Sequence, residues 1–252
     1  MRHLLSRESG EVLAQLAWSR VLVAFDFDGT LAPIVANREM AHMRARTSEL
    51  FAKVCSLYPC AVISGRSQPD VSARLGDAPI KYVIGNHGLE PGASLDEFEE
   101  EIAQARASLE EALAGLTGVD LEDKRYSLAL HYRRSRNKRL ARSAILAAVA
   151  ALPVRMRVVP GKLVVNVVPE RAPNKGDALL ELRKAEQADT ALYVGDDVTD
   201  EDVFELDQPG RLLTVRVGES RSSAAAYFLR DQNEMDRLLA KLIALREERA
   251  ST

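Results

Sequence analysis

The chain has 252 residues, of which 46% are hydrophobic and 28% charged. This composition excludes a disordered, collagen-like or disulfide-dense protein, and the length allows one large domain or two small ones of roughly 100–200 residues each. With 34 basic against 37 acidic residues, the net charge of −3 argues against a nucleic-acid binder held by counterion release. Cys55 and Cys60 are too few for a disulfide framework and lack the Cys or His companions of a zinc site, so they read as buried structural thiols.

At the N-terminus, Arg7, Glu8 and Glu11 interrupt the sequence before any apolar run is long enough for a signal peptide or a membrane span. Its apolar residues Leu4, Leu5, Val12, Leu13 and Leu16 suit an amphipathic helix, with Trp18 as packing, and the expected location is the cytoplasm. Four short apolar runs follow, each ending in a polar cluster: VLVAF (21–25) before DFDGT, AVI (61–63) before SGR, YVI (82–84) before GNHG, and ALYV (191–194) before GDDVTDED. Helical patterns at 47–58, 67–75 and 175–186 lie between them. Strands that are apolar throughout and alternate with helices imply a parallel sheet covered on both faces. Open α/β sheets place their sites at the carboxyl ends of such strands.

Residues 94–169 read differently. A helical pattern at 95–116 precedes a short run at 119–122 and a strand at 126–133, paired around 123–125. A second helix at 137–151 precedes strands at 154–159 and 162–168, joined at Pro160-Gly161. This twofold helix–strand–strand order reads as an inserted α+β domain, dividing the chain into 1–93 and 170–252 for the core and 94–169 for the insertion. A charged helix at 231–249 closes the chain.

Asp26 and Asp28 stand two apart at the end of a strand, so both can face one site. Carboxylates that close repel each other unless they share a cation or one is protonated. Gly29 lets the chain turn, and Thr30 offers a hydroxyl and N–H groups to an anion. Ser64 can donate to a phosphate oxygen, and Arg66 can grip an anionic or polyol substrate. Lys175, in PNKGDALL, opens a helix, where its charge adds to the positive helix end. The acidic cluster with Asp196 and Asp200 is costly without a cation, and hard oxygen ligands suit Mg2+.

Each signal taken alone has a bland counterpart: an Asp-rich cap, a strand-to-helix turn, a surface lysine. Their order is more specific. DxD, then Ser, then Lys, then GDDxxD resembles the haloacid dehalogenase superfamily over essentially the whole chain. The resemblance implies a Rossmann-like parallel-sheet core with an inserted α+β cap. It makes Asp26 the nucleophile that forms an aspartyl-phosphate, and Asp28 the acid for the leaving alcohol and then the base for water. Ser64 and Lys175 would hold the phosphoryl group. Mg2+ would be bound by Asp26, the Asp28 carbonyl and Asp196, with Asp200 binding directly or through water.

DFDGTLAPI, ISGR, GNHG, LEDKRYSLALHYR, VPGK and GDDVTDED further resemble segments of the trehalose-6-phosphate phosphatases, in that family's order. On the strand at 126–133, Ser127, Ala129, His131 and Arg133 share one face, able to offer donors to sugar hydroxyls. The resemblance adds Glu122, Lys124 and Lys162 from the insertion, and Arg66 and His87 from the core, as disaccharide contacts. Asn166 stands where many members carry glutamate, which bears on the sugar contacts and not on the phosphoryl chemistry. The implied activity is hydrolysis of trehalose 6-phosphate by a monomer, with a trehalose-phosphate synthase as the candidate functional partner. The alternatives are a sucrose-phosphate or mannosylglycerate-phosphate phosphatase and, in another class, a non-catalytic phosphoacceptor or sensing domain. Hairpin pairing of Glu122 with Lys124 and a satisfied sheet position for His131 are the bland readings there.

Overall fold

The computed structural model describes residues 1–35, 37–91, 95–206 and 208–250. In chain order, strand β1 (Arg2–His3) and helix α1 (Gly10–Trp18) precede β2 (Val21–Phe25), α2 (Ala45–Leu57), β3 (Cys60–Ile63), α3 (Gln68–Arg74) and β4 (Tyr82–Ile84). Then come α4 (Leu95–Leu113), β5 (Asp120–Asp123), β6 (Leu128–His131), α5 (Lys138–Ala150), β7 (Met156–Gly161) and β8 (Val164–Pro169). The chain ends with α6 (Lys175–Ala185), β9 (Thr190–Gly195), α7 (Glu201–Phe204), β10 (Leu212–Val217), β11 (Tyr227–Leu229) and α8 (Glu234–Ala250). Among the described residues no helix is long and apolar enough to cross a membrane.

Two compact units result, Met1–Gly88 with Asn174–Thr252, and Leu89–Pro173. Of the boundaries expected from sequence, 93/94 lies outside the described residues, and 169/170 falls inside the second unit.

The first unit is built on a seven-stranded sheet in the order β1-β11-β10-β9-β2-β3-β4, with every pairing parallel. Both faces are covered, which is why its strands carry no polar alternation. Val21, Val23 and Phe25 of β2 join Leu13 and Leu16 of α1, Phe51 and Val54 of α2, and Leu238 and Leu242 of α8. Leu22 and Ala24 point the other way, to Leu179 and Leu182 of α6 and Phe204 of α7. From β2 the chain proceeds to one side through β3 and β4 and returns on the other as β9, so the strand order reverses between β2 and β9. Open α/β sheets bind ligands at such a switch point, outside the carboxyl ends of the strands.

The N-terminal expectation is corrected in part. Helix α1 begins only at Gly10, so Leu4 and Leu5 lie outside it, and residues 2 and 3 pair with Tyr227 and Phe228 of β11. His3 anchors this edge through a 2.7 Å contact between Nε2 and Glu234 Oε2. Trp18 is half-exposed, its indole N–H donating to the Leu245 carbonyl. Cys55 and Cys60 are free and buried, as expected of structural thiols.

The second unit is an antiparallel sheet, β5-β6-β8-β7. Leu128 and Leu130 of β6 and Val165 and Val167 of β8 pack on Ile102 and Leu109 of α4 and on Ile145 of α5. Ser127, Ala129 and His131 alternate to the opposite face, as the sequence implied. Strand β6 ends at His131, which leaves Arg133 exposed in the following turn. The second hairpin does not turn at Pro160-Gly161. Gly161 pairs with Val164, so the two-residue turn is Lys162 and Leu163, the latter in the left-handed region at φ 63°. The register that seats Val165 and Val167 in the core overrides local turn preference. Pro160 is tolerated because β7 is an edge strand.

Candidate active site

Strand phase aims the first carboxylate. Phe27 continues the Val21, Val23, Phe25 face into the core, so Asp26 continues the Leu22, Ala24 face toward α6. Helix α6 starts where PNKGD predicts a start. The Asn174 side chain accepts from the Asp177 N–H at 2.9 Å, and the Asp177 carboxylate accepts from the Asn174 N–H at 3.0 Å, a reciprocal capping box. The cap fixes the first helical residue, Lys175, whose Nζ donates to Asp26 Oδ1 at 2.8 Å and to Asp200 Oδ1 at 2.7 Å. All three side chains are buried, with Lys175 1% and Asp200 0% exposed.

Asp200 is the organiser of this cluster. Its Oδ1 also accepts from the Tyr193 hydroxyl at 2.7 Å, and its Oδ2 accepts from the N–H groups of Asp196 and Asp197 at 2.8 and 2.9 Å. With both oxygens so engaged, Asp200 orients Lys175 and the Asp196 loop. Tyr193 went unnoticed in the sequence as a member of an apolar strand. Its signal is phase, because Ala191 and Tyr193 face α6.

The electrostatics call for more positive charge. Burial, opposed by Lys175 and reinforced by Asp200, pushes the Asp26 carboxyl up to about 7. Burial, with Asp26, Asp200 and Asp197 adding to it, pushes Asp196 up to about 9. Burial disfavours the Lys175 ammonium, but Asp200 and Asp26 outweigh it and hold the group well above its ordinary value. Oxygens of Asp26, Asp196 and Asp200 lie within 4.8 Å of one another, and Asp196 Oδ1 is buried without a hydrogen-bond partner. An orphaned carboxylate oxygen among hard donors fits a divalent cation such as Mg2+. Gly29, at φ 84°, makes the packing possible, since a Cβ there would stand 2.2 Å from Asp196 Oδ2.

Around this cluster the structure places the other expected residues unequally. Ser64 directly follows β3, the neighbour of β2, and its Oγ accepts from the Arg66 N–H at 3.2 Å. His87, at φ 61°, donates its backbone N–H to the Ser64 carbonyl at 2.9 Å, and its ring lies where a Cβ on Gly65 would be, 2.4 Å from Cε1. The Thr30 side chain is fully buried, its Oγ1 without a hydrogen-bond partner. The Thr30 carbonyl accepts from Gln232 Nε2, a residue that the sequence did not single out. Arg66 is turned onto Asp28 and Asp70.

In the second unit, Glu122, Ala129 and Asn166 pair across three strands in one row. Glu122 Oε2 and His131 Nε2 meet at 2.8 Å, the Lys124 side chain is buried, and Asn166 Nδ2 donates to the Val159 carbonyl at 3.3 Å. Lys162 and Arg133 are exposed in turns.

The trehalose-phosphatase family model matches residues 24–233. The chain belongs to the trehalose-phosphatase family. The trehalose-phosphate phosphatase of Mycolicibacterium paratuberculosis is 32% identical over 244 residues, 91% of this chain and 60% of that protein. The trehalose-phosphate phosphatase of Mycobacterium ulcerans is 34% identical over 229 residues, covering 83% and 58%. The chain therefore spans about 60% of the length of these curated relatives. Among solved structures, the C-terminal domain of the C. albicans trehalose-6-phosphate phosphatase superposes with a TM-score of 0.74 at 22% identity, covering 93% of this chain and 96% of that one. The fold is the α/β one expected from the sequence, a parallel-sheet haloacid dehalogenase core interrupted by an α+β unit, shared here with trehalose-phosphatases.

Proposed function

We propose that this chain hydrolyses trehalose 6-phosphate to trehalose and inorganic phosphate. The observation that carries the proposal is the buried bridge of Lys175 between Asp26 and Asp200, with the unpaired Asp196 oxygen beside it, in a member of this family. Lys175 occupies Asp26 Oδ1, which leaves Oδ2 to attack phosphorus. As that bond forms, the bond from phosphorus to the sugar oxygen breaks, and Asp28 gives the departing oxygen its proton. Water then attacks the aspartyl-phosphate, Asp28 takes a proton from it, and the P–O bond to Asp26 breaks to release phosphate. Phosphoryl transfer asks for positioning and charge neutralisation more than for covalent work, which suits a site whose charges are fixed by packing.

Asp26, Asp196 and the Asp28 carbonyl are the groups to hold Mg2+, with Asp200 behind them, and the ion's charge would offset repulsion between a carboxylate nucleophile and a dianionic ester. Ser64 and Lys175 hold the phosphoryl oxygens; the Thr30 N–H donates to the Phe27 carbonyl at 3.4 Å and is not counted with them. The sugar contacts assigned to the inserted unit are Glu122, Lys124, His131, Arg133, Lys162 and Asn166, and the one assigned to the core unit is His87. Asn166, held at Nδ2 by the Val159 carbonyl, presents its oxygen as an acceptor. The reading is completed by a cytoplasmic monomer supplied by a synthase of the sugar phosphate.

Phosphate release from a panel of sugar phosphates, with Mg2+ and with chelator, tests this directly. The expected result is strong preference for trehalose 6-phosphate over sucrose 6-phosphate, glucose 6-phosphate and mannosylglycerate phosphate, abolished by chelation and by Asp26→Asn. Release from none of them would exclude the proposal, and preference for another sugar would move the specificity argument to Asn166.

A further inference from the structure

Arg66 was expected to grip substrate, yet it is 1% exposed and its guanidinium is already occupied. Nε and Nη2 donate to Asp28 Oδ2 and Oδ1, each at 2.7 Å, a bidentate fork. Nη1 donates to Asp70 Oδ2 at 2.7 Å, and Nη2 also donates to the Arg38 carbonyl at 2.8 Å. Four of the five guanidinium N–H donors are thus engaged inside the core unit. The group also lies over the Phe27 ring, 5.7 Å from its centroid. Asp70, in the first turn of α3, is held in turn by Arg74 Nε at 2.9 Å, and Arg74 Nη1 donates to the carbonyls of Glu39 and Ala41.

We infer that Arg66 is a positioning residue for Asp28: it sets the orientation of the carboxyl group that serves the leaving alcohol, and it makes no contact with substrate. The Asp28 side chain is 38% exposed, so its packing alone leaves it room to rotate. A planar fork bonded to both oxygens removes that freedom in a way a single ammonium does not. The second anchor on Asp70 fixes the fork itself, and the carbonyls at positions 38, 39 and 41 tie the segment after DFDGT to the same chain of ion pairs. The inference rests on the reading of Asp28 as the acid in the proposed hydrolysis.

The experiment compares two phosphate donors. An alkyl phosphate such as trehalose 6-phosphate leaves as an alkoxide and needs a proton, whereas acetyl phosphate leaves as acetate and needs none. For Arg66→Gln, kcat on the alkyl phosphate should fall about 10–100-fold, within the range a general acid contributes. KM should stay within about 2-fold of wild type, and the single-turnover release of acetate from acetyl phosphate, which precedes the step where Asp28 serves as base, within about 3-fold. Arg66→Lys should recover part of the loss. Asp70→Asn, which keeps both members of the pair and so covers the case of an Arg66 variant that fails to fold, should show the same split with smaller size. A rise in KM at constant kcat would make Arg66 a substrate contact, and equal losses in the single-turnover release of alcohol and of acetate would make it architectural; either overturns the assignment. If the wild type refuses trehalose 6-phosphate, the substrate proposal falls alone, and the split is read on the best alkyl phosphate of the panel. A wild type that refuses every alkyl phosphate overturns both.

Discussion

The buried charge cluster of the core unit and the sheet of the inserted unit hold their polar groups in opposite ways. Asp26, Lys175 and Asp200 are buried and satisfied by one another, with strand phase, a capping box and Tyr193 all converging on the same few atoms. Glu122 and His131 are 42% and 34% exposed and meet each other where water competes for their hydrogen bond. The first arrangement fixes charge before any substrate arrives, which is how preorganised sites lower a barrier. The second costs little to rearrange, as suits the proposed exchange of water for sugar hydroxyls. Stability and turnover should therefore respond together in the core cluster and separately in the inserted sheet.

The hardest test of that contrast is Lys175→Met. Removing the one ammonium leaves Asp26 and Asp200 buried against each other, and breaking a buried pair costs about 3–5 kcal/mol. Phosphate release should fall by about 10²–10³-fold, as loss of a preorganised charge at a transferring group implies. Denaturant unfolding and single-turnover phosphate release on the same preparation check both. A variant of wild-type stability would mean that the cluster is not held by its charges.

The carboxyls that burial raises give the contrast a pH dependence. The folded protein keeps protons on Asp26 and Asp196, at about 7 and about 9, that the unfolded chain has already released. Over that window the native state binds more protons, so without a cation stability declines as pH rises from the ordinary carboxylate range through these values. A divalent cation replaces the protons. The rise in melting temperature on adding Mg2+ should therefore be larger at about pH 8 than at about pH 5, and calorimetry should register proton release on binding in between. An equal rise at both would remove Asp26 and Asp196 from the ion's shell.

What could be read from the chain follows the same division. The strands of the core and Asp26, Lys175 and Asp196 were legible because each lies within a few residues of a local signal: an apolar run, a capping box, a carboxylate cluster. Three things were not. The Arg66 fork joins residues 38 apart in sequence, and its partner is chosen by how β2 and β3 are paired. Tyr193 passes as strand filler until the hydroxyl is seen on Asp200. Strand β1 needs β11, more than two hundred residues away, before residues 2 and 3 have anything to pair with. In the inserted unit the alternation of β6 was legible, while the turn at Lys162 and Leu163 was set by register across β8 against the preference of Pro160-Gly161.

The inserted sheet gives the smallest and most separable effect. His131 Nε2 and Glu122 Oε2 are bonded across a strand pair in partial exposure, so His131→Ala should cost no more than about 1 kcal/mol, the scale of an exposed ion pair or a cross-strand contact. Its effect on hydrolysis should fall on KM for a disaccharide phosphate, raised about 5–10-fold with kcat nearly unchanged, because losing a contact made equally in the bound ground state and the transition state weakens both alike. Acetyl phosphate, which has no sugar to contact, should be hydrolysed as by wild type. Loss of kcat on acetyl phosphate in this variant would break the contrast, since it would couple an exposed hydrogen bond of the inserted unit to chemistry that the buried cluster is built to perform alone.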